Sequence, residues 1–330
     1  MPLSTRSDPE VRETAVLSVL IVSWNCRQML ANCLDSLRDE LSLYRHEIVV
    51  VDNASSDGTA GMIRRDDPDV VFIESGANLG FAAGNNIGLP VLKGKYIFLI
   101  NPDVVVTRGC FSRMLQYLEK HAEIGMMGPQ IVGADGGIQR SCMREPTLWN
   151  QLCRALALDR FAKRSRTFAG YLMGDFQHDV IREVEILNGC FWLLRREALD
   201  QVGLFDNRFW MYGEDLDWCH RFRAAGWKIV FFPQAQAVHY GAGSSKQASL
   251  ACYVQMQRAD LQYWRKYHGS LSSWCYWTLL VNFHVMRSIF YAGHSVVAPQ
   301  AKTSWLGVKK HLRSIVLLMN PRSLRVLLCR

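Results

Sequence analysis

The sequence has no G-x-x-x-x-G-K-[ST] phosphate loop and no G-x-G-x-x-G dinucleotide fingerprint. That removes the main support for a P-loop kinase or a nicotinamide dehydrogenase. Ten cysteines include no C-x-x-C pair and no repeated spacing, and the first sixteen residues lack the apolar core of a secretory leader. The expectation is therefore reduced thiols in a cytoplasmic compartment, not a disulfide framework. Acid is almost missing from the C-terminal quarter. From Tyr240 to Arg330 there are 12 Lys and Arg against one acid, Asp260, whereas residues 1–239 hold 26 basic and 29 acidic side chains. A basic quarter on a near-neutral body points to an anionic partner, nucleic acid or a membrane surface. Apolar residues are plentiful: 49% of 330 residues are hydrophobic and 21% charged. This excludes a disordered or collagen-like chain and fits one large domain with appendages, or two domains.

The first half alternates strand and helix patterns. Val16 to Val22 is a β-branched run ending at Trp24-Asn25, and Met29, Leu30, Cys33, Leu34 and Leu37 then recur at helical spacing. Further apolar runs cover 47–52, 70–74 and 96–100. Strands apolar on both faces and separated by helices predict a mainly parallel sheet covered on each side. Each run closes on a polar or glycine-rich segment, where open α/β sheets place their ligands. The glycine-rich stretch 76–88 also reads as an ordinary turn and helix start.

Carboxylates stand where a metal and a base would be wanted. Asn101-Pro102-Asp103 follows the fourth strand and offers a hard oxygen; Mg²⁺ or Mn²⁺ on a diphosphate needs only one or two protein carboxylates. An aspartate in an ordinary turn is the plain alternative. Phe209, Trp210 and Tyr212 lead into Glu214, Asp215 and Asp217 at a helix start, with Leu216, Cys219 and Phe222 on one side. Acids in a first turn serve the helix dipole, yet three in four residues exceed that need. A carboxylate held in a cleft suits a general base acting on a hydroxyl. Asp217 and Arg221, four apart, read as a structural ion pair. A strand over 228–233 follows, then His239 and the flexible run 241–245, able to close over a substrate.

In order along residues 16–245, these segments resemble the nucleotide-sugar glycosyltransferases of family 2, and within them the bacterial rhamnosyltransferase-like branch. The matching stretches are 50–58, 78–88, 101–103, 189–196, 203–206, 214–217 with Arg221 and Gly226-Trp227, and His239. The resemblance implies a GT-A fold: α/β, Rossmann-like, with a mixed, mainly parallel sheet flanked by helices and a mainly helical C-terminal extension. It implies that Asp52 and Asn53 contact the pyrimidine and ribose of the donor. Asn78, Gly80, Asn85 and Asn86 would line the nucleotide-sugar site, with Trp24, Asn25 and Asn101 beside it. Asp103 takes the metal-ligand place of the family's Asp-x-Asp, and Asn101 replaces the first Asp. His239 would complete the Mg²⁺ or Mn²⁺ site. Asp215 matches the catalytic base, Glu214 stands beside it, and Trp210 and Tyr212 shape the acceptor pocket. The activity implied is an inverting transfer, with dTDP-rhamnose as leading donor, to a lipid-linked glycan of a cell-surface polysaccharide.

Three regions are expected: a tail at 1–15, a catalytic domain at 16–250 and a basic helical region at 251–330. Tyr267 to Met286 carries no formal charge but includes Gly269, serines, Asn282 and His284, which makes it polar for a membrane span. Trp305, Val308, Leu312, Ile315 and Met319 recur at helical steps among Lys309, Lys310 and Arg313. That pattern fits a helix lying in the interface of an anionic membrane. Packing on the catalytic domain, or a homodimer contact, is the alternative use. Nucleic acid is not expected, because the basic residues are interleaved with Leu and Val. A sugar-nucleotide-binding or nucleic-acid-binding protein without turnover is the competing class.

Overall fold

The computed structural model describes residues 16–241, 249–297 and 302–319. The tail at 1–15 and residues 242–245 of the flexible run lie outside the described residues. Two compact units are present. One comprises Met1–Glu145, Phe176–Trp210 and Glu214–Ser244; the other comprises Pro146–Asp175, Met211–Gly213 and Ser245–Arg330.

The first unit begins β1 (Val16–Ser23), α1 (Arg27–Leu41), β2 (Arg45–Asp52), α2 (Thr59–Asp66), β3 (Val71–Glu74) and α3 (Gly80–Gly88). It continues β4 (Tyr96–Ile100), β5 (Val104–Val106), α4 (Cys110–Glu119), β6 (Ile124–Val132), β7 (Ile138–Gln139) and β8 (Cys142–Met143). Short helices α5 (Leu148–Ala155) and α6 (Leu158–Phe161) belong to the second unit. The first unit resumes with β9 (Arg182–Glu183), β10 (Ile186–Leu187), β11 (Phe191–Arg195), α7 (Arg196–Val202), α8 (Glu214–Ala224) and β12 (Lys228–His239).

Among the described residues the main sheet runs β3-β2-β1-β4-β11-β6-β12-β5. Its β3-β2-β1-β4 half is parallel, as the unbroken apolar runs predict, and β11 enters antiparallel between β4 and β6. Every residue of β4 and β11 is buried. The helical spacing of α1 places Leu30, Cys33, Leu34, Leu37 and Leu41 in the core. Phe98 stacks on Phe111 of α4 at 3.7 Å between ring centroids, and Phe191 meets both edge-on. The strand expected to stop at Pro233 instead runs on to His239. Its register shifts between Phe232 and Gln236, so the proline sits where the ladder requires no N–H from it. All nine cysteines among the described residues are free thiols.

The second unit adds α9 (Ser249–Tyr267), α10 (Gly269–Val297) and α11 (Lys302–Met319). Residues 146–175, grouped by sequence with the catalytic domain, pack here: Leu148 of α5 lies on a cluster of Leu261, Trp264 and Tyr276. Gly269, with φ +74°, breaks the uncharged stretch from α9. No helix among the described residues is long and apolar enough to cross a membrane.

Candidate active site

Because β1, β2 and β4 run parallel, their C-terminal ends gather at one edge of the first unit, with Ser23 opposite Asp52. Asp52 is buried there. Its Oδ2 accepts the Ser55 N–H at 2.9 Å, while Oδ1 has no hydrogen-bond partner. Asn53 donates Nδ2 to the Gly80 carbonyl at 3.0 Å, and its own Oδ1 is also buried and unmatched. An unmatched buried acceptor costs about 1–3 kcal/mol. Two of them side by side at a strand end suit a ligand that brings N–H and O–H donors.

The neighbouring residues divide into those that frame this edge and those spent on the fold. Gly80 sits at φ +82°, and a Cβ there would stand 2.0 Å from the Trp210 carbonyl, so only glycine fits. Asn78 accepts the Gly80 N–H at 3.1 Å in an Asx turn just before α3. Asn85 donates back to Phe81 O within α3. Asn86 clasps the 205–207 loop, accepting from Phe205 N–H and donating to Phe205 O and Asn207 Oδ1. Asn25, at φ +48°, accepts the Ser56 N–H at 2.8 Å, and Trp24 beside it is half-buried. The side chains of Asn78, Asn85, Asn86 and Asn25 thus have protein partners. Asp52 and Asn53 keep free acceptor atoms.

The second cluster is built by register. β5 pairs with β12 so that Val104 lies opposite His239, and the Tyr240 N–H donates to the Asp103 carbonyl at 3.0 Å. Asp103 Oδ1 and His239 Nε2 are 3.4 Å apart, both side chains largely buried. Gln139 of β7 fixes the imidazole. Its Nε2 donates to the His239 carbonyl at 2.9 Å, which leaves Oε1 to accept from Nδ1, also at 2.9 Å. Nδ1 therefore donates to Gln139, and Nε2 faces the Asp103 carboxylate. A carboxylate and an imidazole that face each other form an ion pair when the imidazole is protonated and can share a cation when it is not. One carboxylate oxygen and one imidazole nitrogen suit Mg²⁺ or Mn²⁺ whose other positions are filled by phosphate oxygens and water. Among the described residues no group of three or more His, Cys, Asp or Glu side chains that could hold a metal gathers. Sequence reasoning had no signal for Gln139, whose partner is a hundred residues away.

The third cluster is at the start of α8. Asp217 is buried and held by Arg221 at 2.9 Å, and the same guanidinium donates to the carbonyls of Val202 and Leu204. That is the structural pair the four-residue spacing predicts. Glu214 is buried and its Oε2 has no protein partner. Burial, and after it the charge of Asp215, pushes the Glu214 carboxyl well above the usual carboxylate range. Asp215 is the more exposed of the two. Burial thus pushes one carboxyl up while its neighbour stays more exposed, and unequal environments of this kind assign different roles to paired carboxyls.

Residues 189 and 190 join the second and third clusters. The Asn101 N–H donates to the Cys190 carbonyl at 2.9 Å, and a Cβ on Gly189 would meet the Asp215 Cβ at 3.8 Å. Burial pushes the Cys190 thiol up to about 12, and the charges of both Asp103 and Asp215 add to the shift. The charges of both carboxylates thus act on one short segment. Cys26, next to Asn25, is also raised, by burial first and in smaller part by Asp103, which links the metal-side carboxylate to the β1 end. Trp210 gives its carbonyl to the Phe81 N–H at 2.9 Å and sets its ring against Gly80. Tyr212 adopts a left-handed backbone, φ +66°.

With this geometry in place, comparison with known proteins is informative. The family described as glycosyl transferase family 2 matches residues 18–203. The N-acetylglucosaminyl-diphospho-decaprenol L-rhamnosyltransferase of Mycobacterium tuberculosis is 31% identical over 244 residues, 70% of this chain and 78% of that protein. Rhamnosyltransferase WbbL of Escherichia coli is 24% identical over 239 residues, 67% of this chain and 82% of that one. Among solved structures, mannosyltransferase PcManGT from Pyrobaculum calidifontis, in complex with GDP-Man and Mn²⁺, aligns with a TM-score of 0.52 at 16% identity, over 97% of this chain and 91% of that one. GalNAc-T7 with UDP, GalNAc and Mn²⁺ aligns with a TM-score of 0.51 at 16% identity, over 68% of this chain and 44% of that one. These two share the GT-A fold with this chain. The chain belongs to glycosyl transferase family 2 and resembles its bacterial rhamnosyltransferase-like branch.

Proposed function

We propose that this family 2 glycosyltransferase moves a sugar from a nucleotide-sugar donor to a hydroxyl of a glycan on a lipid diphosphate, with inversion. Rhamnose from dTDP-rhamnose is the leading donor, and the product would enter a cell-surface polysaccharide. The reading is supported by two observations: the charges of Asp103 and Asp215 both act on Cys190, and Asp52 and Asn53 each keep an unmatched buried acceptor. The relatives named for rhamnosyl transfer, one of them onto a decaprenyl-diphosphate-linked sugar, support the substrate class.

Asp52 Oδ1 and Asn53 Oδ1 would accept from the base and ribose and so orient the nucleotide. Asp103 and His239 would hold a divalent cation, with Gln139 orienting the His239 imidazole. When bound, that cation supplies charge neutralisation for the departing nucleoside diphosphate. Asp215 takes the proton of the acceptor hydroxyl as its oxygen attacks the anomeric carbon. The bond from that carbon to the diphosphate oxygen breaks on the opposite face, and the electron pair leaves with the diphosphate. Glu214, whose carboxyl burial pushes up, would stand beside the base and shape the acceptor pocket. Trp210 and Tyr212 would wall the acceptor side. Because a lipid-linked acceptor resides at a membrane, the site of action is the cytoplasmic face, with the protein attached peripherally.

The test is thermal stability of the purified protein with a panel of dTDP-, UDP- and GDP-sugars, each with and without Mg²⁺ or Mn²⁺. Ligand that binds only the folded state raises its stability, by about 2.7 kcal/mol at a hundred times Kd. A metal-dependent rise with one donor is expected; no rise with any donor would remove the reading.

A further inference from the structure

The helices of the second unit carry their polarity inside out. Along α10 the buried face includes Ser273, His284, Ser288 and Ser295, and along α11 it includes His311 and Ser314. These groups are satisfied within the bundle. The His284 and His311 Nδ1 atoms lie 2.9 Å apart, Gln257 of α9 meets His284 Nε2 at 3.0 Å, and Ser288 and Ser314 donate to backbone carbonyls. The outward face is apolar. On α10 it displays Leu271, Trp274, Met286, Ile289 and Phe290, each 59–76% exposed; on α11 it displays Trp305, Leu306, Leu312, Val316 and Met319, each 51–64% exposed. A helix in water places these classes the other way round. An apolar display of this size marks an interaction surface.

The charges say which partner. Lys309, Lys310 and Arg313 are exposed on α11 among its apolar residues, and with Leu250 and Leu306 they line a cavity of about 250 Å³. Asp260, the only acid after residue 240, is turned inward, where the Tyr276 hydroxyl donates to it at 3.3 Å. Three cations beside leucines match a phosphate headgroup with its acyl chain alongside. A second copy of this chain would set the same cations against each other in a two-fold contact.

We propose that α10 and α11 embed their outward faces in the interface of an anionic phospholipid bilayer, with a lipid phosphate seated among Lys309, Lys310 and Arg313. The attachment is monotopic, since no described helix is long and apolar enough to cross. It gives the transfer reading its access to a lipid-borne acceptor, and in purpose rests on that reading; its evidence is separate.

Full-length protein is floated with vesicles of pure phosphatidylcholine, or of phosphatidylcholine and phosphatidylglycerol in equal parts. Binding to the anionic vesicles is expected, with quenching of tryptophan fluorescence by brominated acyl chains that Trp274→Phe and Trp305→Phe each reduce. Lys309→Gln/Lys310→Gln/Arg313→Gln should lower the partition coefficient about a hundredfold, at roughly fivefold per cation. Leu306→Ser/Leu312→Ser/Val316→Ser should lower it on both vesicle types. Circular dichroism checks that each variant is folded. Wild-type protein that stays with the buffer on anionic vesicles, or a triple Gln variant that floats unchanged, overturns the proposal. A dimer that the Ser variant converts to monomer, without vesicle binding, reassigns the face to a second copy. Transfer to a short, water-soluble acceptor is measured in parallel: its absence with flotation intact would remove the transferase reading alone.

Discussion

The two units of this chain solve burial in opposite ways. The first wraps a sheet whose central strands β4 and β11 are wholly buried, and unmatched polar groups of Asp52 and Asn53 sit at a strand end. The second keeps serines and histidines inside and turns tryptophan, leucine and methionine outward. The first is built to surround a ligand in water. The second is built to be surrounded by something apolar.

The comparison breaks most visibly if chemistry and surface attachment fail together. Asp103→Ala should lower transfer by about a hundredfold or more and abolish the metal-dependent stabilisation by donor, while vesicle flotation stays at the wild-type level. Next in size is stability. Phe98→Ala, in the stacked centre of the first unit, should cost about 3–5 kcal/mol in chemical denaturation. Trp274→Ser on the outward face of α10 should stay within about 0.5 kcal/mol in detergent-free buffer. Equal costs at the two sites would mean that the outer face is packed in water after all.

A narrower test concerns the imidazole. Gln139→Leu removes both hydrogen bonds that fix His239, and should weaken Mn²⁺ affinity about 10- to 100-fold, read by manganese electron paramagnetic resonance. Excess Mn²⁺ should then restore the rate. The smallest effect concerns Glu214. Its folded pKa lies above its unfolded one, so between those values the folded state binds the extra proton and stability falls as pH rises above the usual carboxylate range. Glu214→Gln should remove that fall. Thermal melts across pH 5–8 with parallel slopes for the two proteins would contradict it.

Much of this was legible in the sequence. Unbroken apolar runs specify the parallel strands because both faces are covered, and the acids ahead of Leu216 mark the start of α8. Asp217 and Arg221 were readable because helical spacing is local. What was hidden depends on long-range register. Nothing near Gln139 announces that β7 delivers it to His239. The partners of Asn85 and Asn86, within α3 and on the 205–207 loop, were likewise hidden, since Phe205 lies 119 residues beyond Asn86. The reach of β12 past Pro233 was hidden for a similar reason, since a register shift absorbs the missing donor.

The most direct test is the transfer rate of Asp215→Asn measured together with its donor binding. Asn keeps the size of Asp and cannot take a proton from the acceptor. A fall of two or more orders of magnitude in rate, with metal-dependent stabilisation by the nucleotide sugar unchanged, is the predicted result. A folded Asp215→Asn protein that transfers at the wild-type rate would contradict the account.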